Sequence, residues 1–170
     1  MDLQAHRGGR GETTEESLRA FAKSLELGVR TLELDIAITS DGQPVVWHDQ
    51  TILPEKCTDT EPAFAGDPQY PYVAKLLRDL TLTQIRTLDC GKPLKDFPHA
   101  EVVQGNKIAT LAEVFALADS YGADVRYNIE TKSQAYKPET SAGIITDYPT
   151  LLRSVLAEFG MPLPPRYTRR

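Results

Sequence analysis

Glu33 and Asp35 are carboxylates two residues apart within Thr31 to Ile36, a segment whose alternation reads as a β-strand. Leu32, Leu34 and Ile36 then point one way and the two acids the other. Like charges side by side repel, so the pair is comfortable only with a cation or a proton between them. Such oxygen donors suit Mg²⁺ or Ca²⁺; the plain alternative is the solvated face of a half-buried strand. A second strand, Val125 to Lys132, repeats the pattern, with Asn128, Glu130 and Lys132 on one face and Tyr127 and Ile129 on the other. A carboxylate and an ammonium two residues apart fit a site that takes both a metal and an anion, or else form an ion pair of small worth.

The chain has three histidines. His6 ends a short strand candidate beginning at Leu3 and precedes Arg7. His48 ends another, beginning at Val45, and precedes Asp49. His99 follows Phe97-Pro98 in a loop and reads as a surface residue. Imidazoles at strand ends beside a partner group suit proton transfer near neutral pH. Arg7 could grip a phosphate oxygen with two N–H groups, or simply pair with a carboxylate. The run His6-Arg7-Gly8-Gly9-Arg10-Gly11 matches neither a Walker loop nor a dinucleotide fingerprint. Its glycines would let the backbone pass close to a ligand.

The elements that must position these groups alternate. Thr13 with Glu16 predicts a capping box, opening a helix that carries Leu18, Phe21, Ala22 and Leu25 and stops at Gly28. Asp41-Gly42 marks a turn. The strands either side of it are too close for a crossover helix, so they form a hairpin or a parallel pair with an irregular link. Residues 53–75, rich in Pro, Asp and Tyr, read as a long loop. Thr81/Gln84 and Thr110/Glu113 are further capping boxes. The second opens a helix bearing Leu111, Val114, Phe115 and Ala118 and ending at Gly122. Beyond a polar stretch at 133–141, Gly143 to Thr146 predicts a strand. Asp147 and Pro149 open a last helix with Leu152, Val155, Leu156 and Phe159, closed by Gly160, and a Pro- and Arg-rich tail follows. Alternating strands and helices imply an α/β layered or barrel domain. Polar pairs collected at strand ends fit the C-terminal mouth of a barrel.

Composition narrows the function. With 170 residues, 41% apolar and 25% charged, the chain can bury a core and is neither disordered nor membrane-embedded. No run approaches the ~18 apolar residues of a membrane span. Twenty-four acidic against 19 basic residues give a net charge of −5, which argues against nucleic acid and anionic membranes as partners. A small anionic substrate would have to be met by a few placed cations or a metal. The start, MDLQAHRGG, is not a secretory signal. The expectation is a cytoplasmic protein if Met1 is the true start, and an extracellular one if the native start lies upstream. Cys57 and Cys90 sit in no CxxC pair, which argues against zinc; they are either two thiols or one disulfide.

These segments, in this order, resemble the glycerophosphodiester phosphodiesterase family. The resemblance rests on AHRG, on TTEES in place of a PENT-like segment, and on LELDIAITSDGQPVVWHD; LTLTQIRTLDCG, IATLAEVFALA and YNIETK follow. In TTEES, Glu15 or Glu16 can stand for the family's Pro-Glu. The resemblance implies a TIM-type barrel, irregular around its second and third strands. His6 and His48 resemble the acid/base pair, Glu33, Asp35 and Glu130 the ligands of a divalent cation (Mg or Ca), and Arg7 and Lys132 the phosphate contacts. A substrate hydroxyl would attack phosphorus, and water would open the resulting cyclic phosphate to release glycerol phosphate and an alcohol.

AGIITDYPTLLRSVLAEFG resembles the family's last strand and helix, yet it follows YNIETK after only a short linker. The expectation is therefore one incomplete domain with about five of a barrel's eight strands. Residues 1–140 would be its N-terminal part, 141–160 the final strand and helix and 161–170 a tail, with the gap near Lys137 to Ala142. A complete barrel of this type takes ~250 residues. Two other readings stand beside metal-dependent hydrolysis of a glycerophosphodiester. One is a non-catalytic remnant that binds metal or phosphate and self-associates through open barrel edges. The other is a related phospholipase acting on lipid head groups.

Overall fold

The computed structural model describes residues 3–132. The strand expected at Gly143–Thr146, the last helix and the tail lie outside the described residues.

β1 (Gln4–Ala5) and β4 (Arg126–Thr131) both run parallel to β2 (Thr31–Ile38). β3 (Pro44–Val46) turns back antiparallel against the end of β2, pairing Ile36 with Val46 and Ile38 with Pro44. The hairpin alternative is thus the one adopted. The Thr39–Gln43 turn closes it: Gln43 N donates to Thr39 Oγ1 at 2.9 Å, and Thr39 Oγ1 bonds Asp41 Oδ1 at 2.5 Å. Because β3 folds back, β1, β2 and β4 are the only barrel staves among the described residues, and their sheet is open.

The helices cover the apolar face of β2. α1 (Leu18–Glu26) and α3 (Leu111–Ser120) bury Phe21 and Val114 with Leu32, Leu34 and Ile36. Tyr127 and Ile129 of β4 pack against the same cluster. α1 begins later than expected. Its N-cap is Ser17, whose Oγ accepts from Ala20 N at 3.0 Å, not Thr13. Thr14 is instead taken by residues far along the chain, donating through N to Glu101 O and accepting at Oγ1 from Val103 N. Glu16 stands in the left-handed region (φ 56°), turning the chain so that its side chain points inward. The other two capping boxes form as expected. Thr81 opens α2 (Leu82–Ile85) with Gln84, and Thr110 opens α3 with Glu113.

Residues 47–109, between β3 and α3, form a second packed layer. Trp47, Ile52, Tyr72, Leu77, Leu80 and Leu88 are buried together. The expected long loop at 53–75 contains no helix or strand, and side-chain bonds hold it. Asp59 accepts from Tyr72 N at 2.7 Å; buried Asp67 accepts from Tyr72 Oη at 2.6 Å and Gln84 Nε2 at 2.9 Å. The question left open for Cys57 and Cys90 resolves as a disulfide inside this core. No described helix is long and apolar enough to cross a membrane.

Candidate active site

Parallel pairing sets the first part of the site. In the β2–β4 register Glu33 stands beside Asn128 and Asp35 beside Glu130. The acids thus meet on the face of the sheet turned away from α1 and α3. Oxygens of Glu33, Asp35 and Glu130 lie within 4.8 Å of one another. Asp35 is 1% exposed, Glu33 half-buried and Glu130 exposed at the rim.

Cations brace this cluster. Arg7 Nε lies 3.2 Å from Asp35 Oδ2, and Lys132 Nζ lies 2.9 Å from Asp35 Oδ1 and 2.5 Å from Glu130 Oε1. Arg7 N also donates to Glu33 Oε2 at 2.7 Å. Burial disfavours the Lys132 ammonium, but Glu130 and Asp35 outweigh that and hold it above the usual lysine value.

Arg7 reaches Asp35 from a single 3₁₀ turn, His6–Gly8, after β1. It adopts φ 50°, and Gly8 follows at φ 73°. A Cβ on Gly8 would sit 3.0 Å from Ala20 Cβ and 3.1 Å from the Phe21 ring, so only glycine lets the turn settle against α1. Ser24 Oγ donates to Gly8 O at 2.9 Å and fastens it there.

The two histidines differ. His6 is exposed, just past the end of β1. His48, just past β3, places Nδ1 3.0 Å from Asp49 Oδ1. Asp49 is partly buried, which disfavours its charge, yet bonds from Lys56 and His48 prevail and hold its carboxyl below the ordinary value. His99 is exposed, as expected.

Three further residues join the site that the motifs did not single out in these roles. Buried Glu15 receives Arg7 Nη1 at 3.4 Å and Arg10 Nε at 3.0 Å. Lys56 contacts both Glu15 Oε1 and Asp49 Oδ2. Glu16 accepts a bond from Asp35 N at 3.0 Å through Oε1, while its buried Oε2 has no hydrogen-bond partner among the described residues. Burial, and then the negative charge of Asp35, push the Glu16 carboxyl well above the ordinary value. TTEES pointed toward Glu15 and Glu16; no local pattern pointed to Lys56.

The sequence model of the glycerophosphoryl diester phosphodiesterase family matches residues 6–151, a span that includes every one of these side chains. The chain belongs to that family. It is 35% identical over 129 residues to a glycerophosphodiester phosphodiesterase of Caldanaerobacter subterraneus, covering 76% of this chain and 44% of the relative. It is 32% identical over 160 residues to human glycerophosphodiester phosphodiesterase 1, covering 91% of this chain and 41% of the relative. A solved structure from Silicibacter pomeroyi assigned to the same family superposes with a TM-score of 0.63 at 26% identity, over 76% of this chain and 45% of that one. The fold is therefore an incomplete TIM-type barrel, and the chain spans less than half the length of these relatives.

The donor set fits a divalent cation. Three carboxylates from adjacent strands converge on one point, and hard oxygen ligands of this kind are those that Mg²⁺ and Ca²⁺ select.

Proposed function

We propose that the protein hydrolyses glycerophosphodiesters to glycerol phosphate and an alcohol, with a divalent cation, Mg or Ca, held by Glu33, Asp35 and Glu130. The convergence of those three acids beside Arg7 and Lys132 carries this reading. A bound cation would polarise a phosphoryl oxygen and lower the pKa of a coordinated hydroxyl.

The protein's own groups do the rest. Arg7 and Lys132 are two fixed positive charges beside the acids, matched to a phosphate diester. His6 and His48 form the acid/base pair: one accepts the proton of the attacking hydroxyl and the other donates a proton to the departing alcohol. Asp49 orients His48 through Nδ1, which leaves Nε2 for the substrate. A small cleft lined by Ile38, Leu77 and Arg78 opens between Asp49 and Lys132.

A second reading, a non-catalytic remnant that self-associates, draws on the open sheet: three parallel strands are described where a closed barrel has eight. Hydrolysis of glycerophosphocholine, measured with Mg²⁺, with Ca²⁺ and with chelator on protein of known oligomeric state, separates the two. Metal-dependent release of choline supports the enzyme. A folded sample without turnover supports the remnant.

A further inference from the structure

We infer that Lys56 is a positioning residue, clamping the His48–Asp49 pair and tying it to the Arg7 arm through Glu15. Its ammonium sits between two carboxylates from different parts of the chain, Asp49 Oδ2 and Glu15 Oε1, and its side chain is 12% exposed. It lies over the buried Trp47 ring, 5.3 Å from the centroid, so its stem has little freedom.

The backbone beneath it is equally constrained. Lys56 N donates to Leu53 O at 3.0 Å, Lys56 O accepts from Lys92 N at 3.3 Å, and the next residue is the disulfide-bonded Cys57. A fixed backbone with a packed stem delivers the ammonium to one place.

The consequence for His48 follows from the two oxygens of Asp49. Lys56 takes Oδ2, so the carboxylate cannot rotate freely, and Oδ1 is presented to His48 Nδ1 at 3.0 Å. An ionised acceptor there favours the tautomer with the proton on Nδ1 and the lone pair on Nε2. On its other side Lys56 meets Glu15, whose Oε2 holds Arg7 Nη1 and Arg10 Nε. One ammonium therefore spans from the end of β3 to the turn after β1, the segments that carry the two histidines.

The inference rests on the acid/base reading of His48, so its test has a readout independent of turnover. ¹⁵N NMR of the His48 imidazole, above the pH at which it loses its charge, is compared among wild type, Lys56→Met, Lys56→Gln and Lys56→Arg. In the wild type and Lys56→Arg the proton is expected on Nδ1. In Lys56→Met and Lys56→Gln it is expected to shift toward the Nε2–H form that free imidazole prefers. Should Lys56→Met fail to fold, Lys56→Gln, which keeps a polar group of shorter reach, carries the comparison. In turnover the neutral variants are expected to lose roughly 10- to 100-fold in kcat through misplacement of the histidine, with KM within about twofold and recovery in Lys56→Arg. An unchanged tautomer in the neutral variants overturns the inference whether or not the protein hydrolyses glycerophosphodiesters. An inactive wild type with the expected tautomer pattern would instead count against the proposed reaction alone.

Discussion

Asp35 and Glu130 stand side by side across the parallel β2–β4 pair, and Lys132 bridges their carboxylates. Two acids at neighbouring register positions concentrate negative charge at the C-terminal end of the sheet. Lys132 and Arg7 compensate it from either side of Asp35.

Asp35→Asn should abolish divalent-cation binding and lower hydrolysis by 100-fold or more, on the order expected when a metal ligand is lost. It should also lower the melting temperature without metal, because Arg7 and Lys132 would keep a buried neighbour that no longer carries charge. Glu130→Gln, at the exposed rim, should weaken metal binding with little change in melting temperature. Calorimetric titration with Mg²⁺ and Ca²⁺ and thermal melts check both; a Glu130→Gln protein with full metal-dependent hydrolysis would remove Glu130 from the ligand set.

Glu16→Gln should stabilise the protein by about 1 kcal/mol or more at neutral pH. The amide keeps an oxygen for Asp35 N while removing a carboxyl that burial and the Asp35 charge already disfavour. Thermal melts at pH 7 in chelator are the measurement, and a lower melting temperature would contradict this account.

The Asp49 carboxyl is held below its ordinary value, so it contributes stability above its unfolded pKa of ~3.9 and loses that contribution as pH falls through its folded value. Lys56→Met removes the main bond that lowers it. The gap in melting temperature between wild type and Lys56→Met should therefore be full above about pH 5 and should shrink toward pH 3. A gap that widens on acidification would show that the stabilisation does not come from the ionised carboxylate.

The Cys57–Cys90 bond links residues 33 apart, which on chain-entropy grounds is worth roughly 3–4 kcal/mol. Reduction, or the double change to alanine, should lower the melting temperature by several degrees. No free thiol should be titratable in the native or the denatured protein until the bond is reduced. Two reactive thiols in the native, unreduced protein would contradict the pairing.

Gly8→Ala should cost about 1–3 kcal/mol, combining an unfavourable positive φ with crowding of Ala20 and Phe21. Because Gly8 follows Arg7, hydrolysis should fall more than stability alone accounts for. Chemical denaturation and steady-state kinetics on the same sample separate the two effects.

Much of the local architecture is legible in the sequence. The alternation of Thr31–Ile36 put Glu33 and Asp35 on one face, and the Thr81 and Thr110 boxes opened their helices as expected. The Thr13–Glu16 box failed for a non-local reason. Glu16 is engaged by Asp35 N, the backbone at Thr13 and Thr14 is held against Glu101, and Ser17 caps the helix instead. A four-residue pattern contains no information about competitors from a distant strand.

What the sequence by itself determined, then, was the strands and main helices among the described residues, the face on which the acids of each strand lie, and the motifs that mark the family. Those properties depend on side-chain periodicity and on bonds between residues a few positions apart. The tertiary structure alone decided that Asp35 meets Glu130, that β3 turns back as a hairpin, that Cys57 pairs with Cys90, and that Lys56 joins Glu15 to Asp49. Each of these brings together groups through strand register or loop closure, and the free energy that selects among such pairings comes from packing the whole domain, which no short stretch of chain encodes.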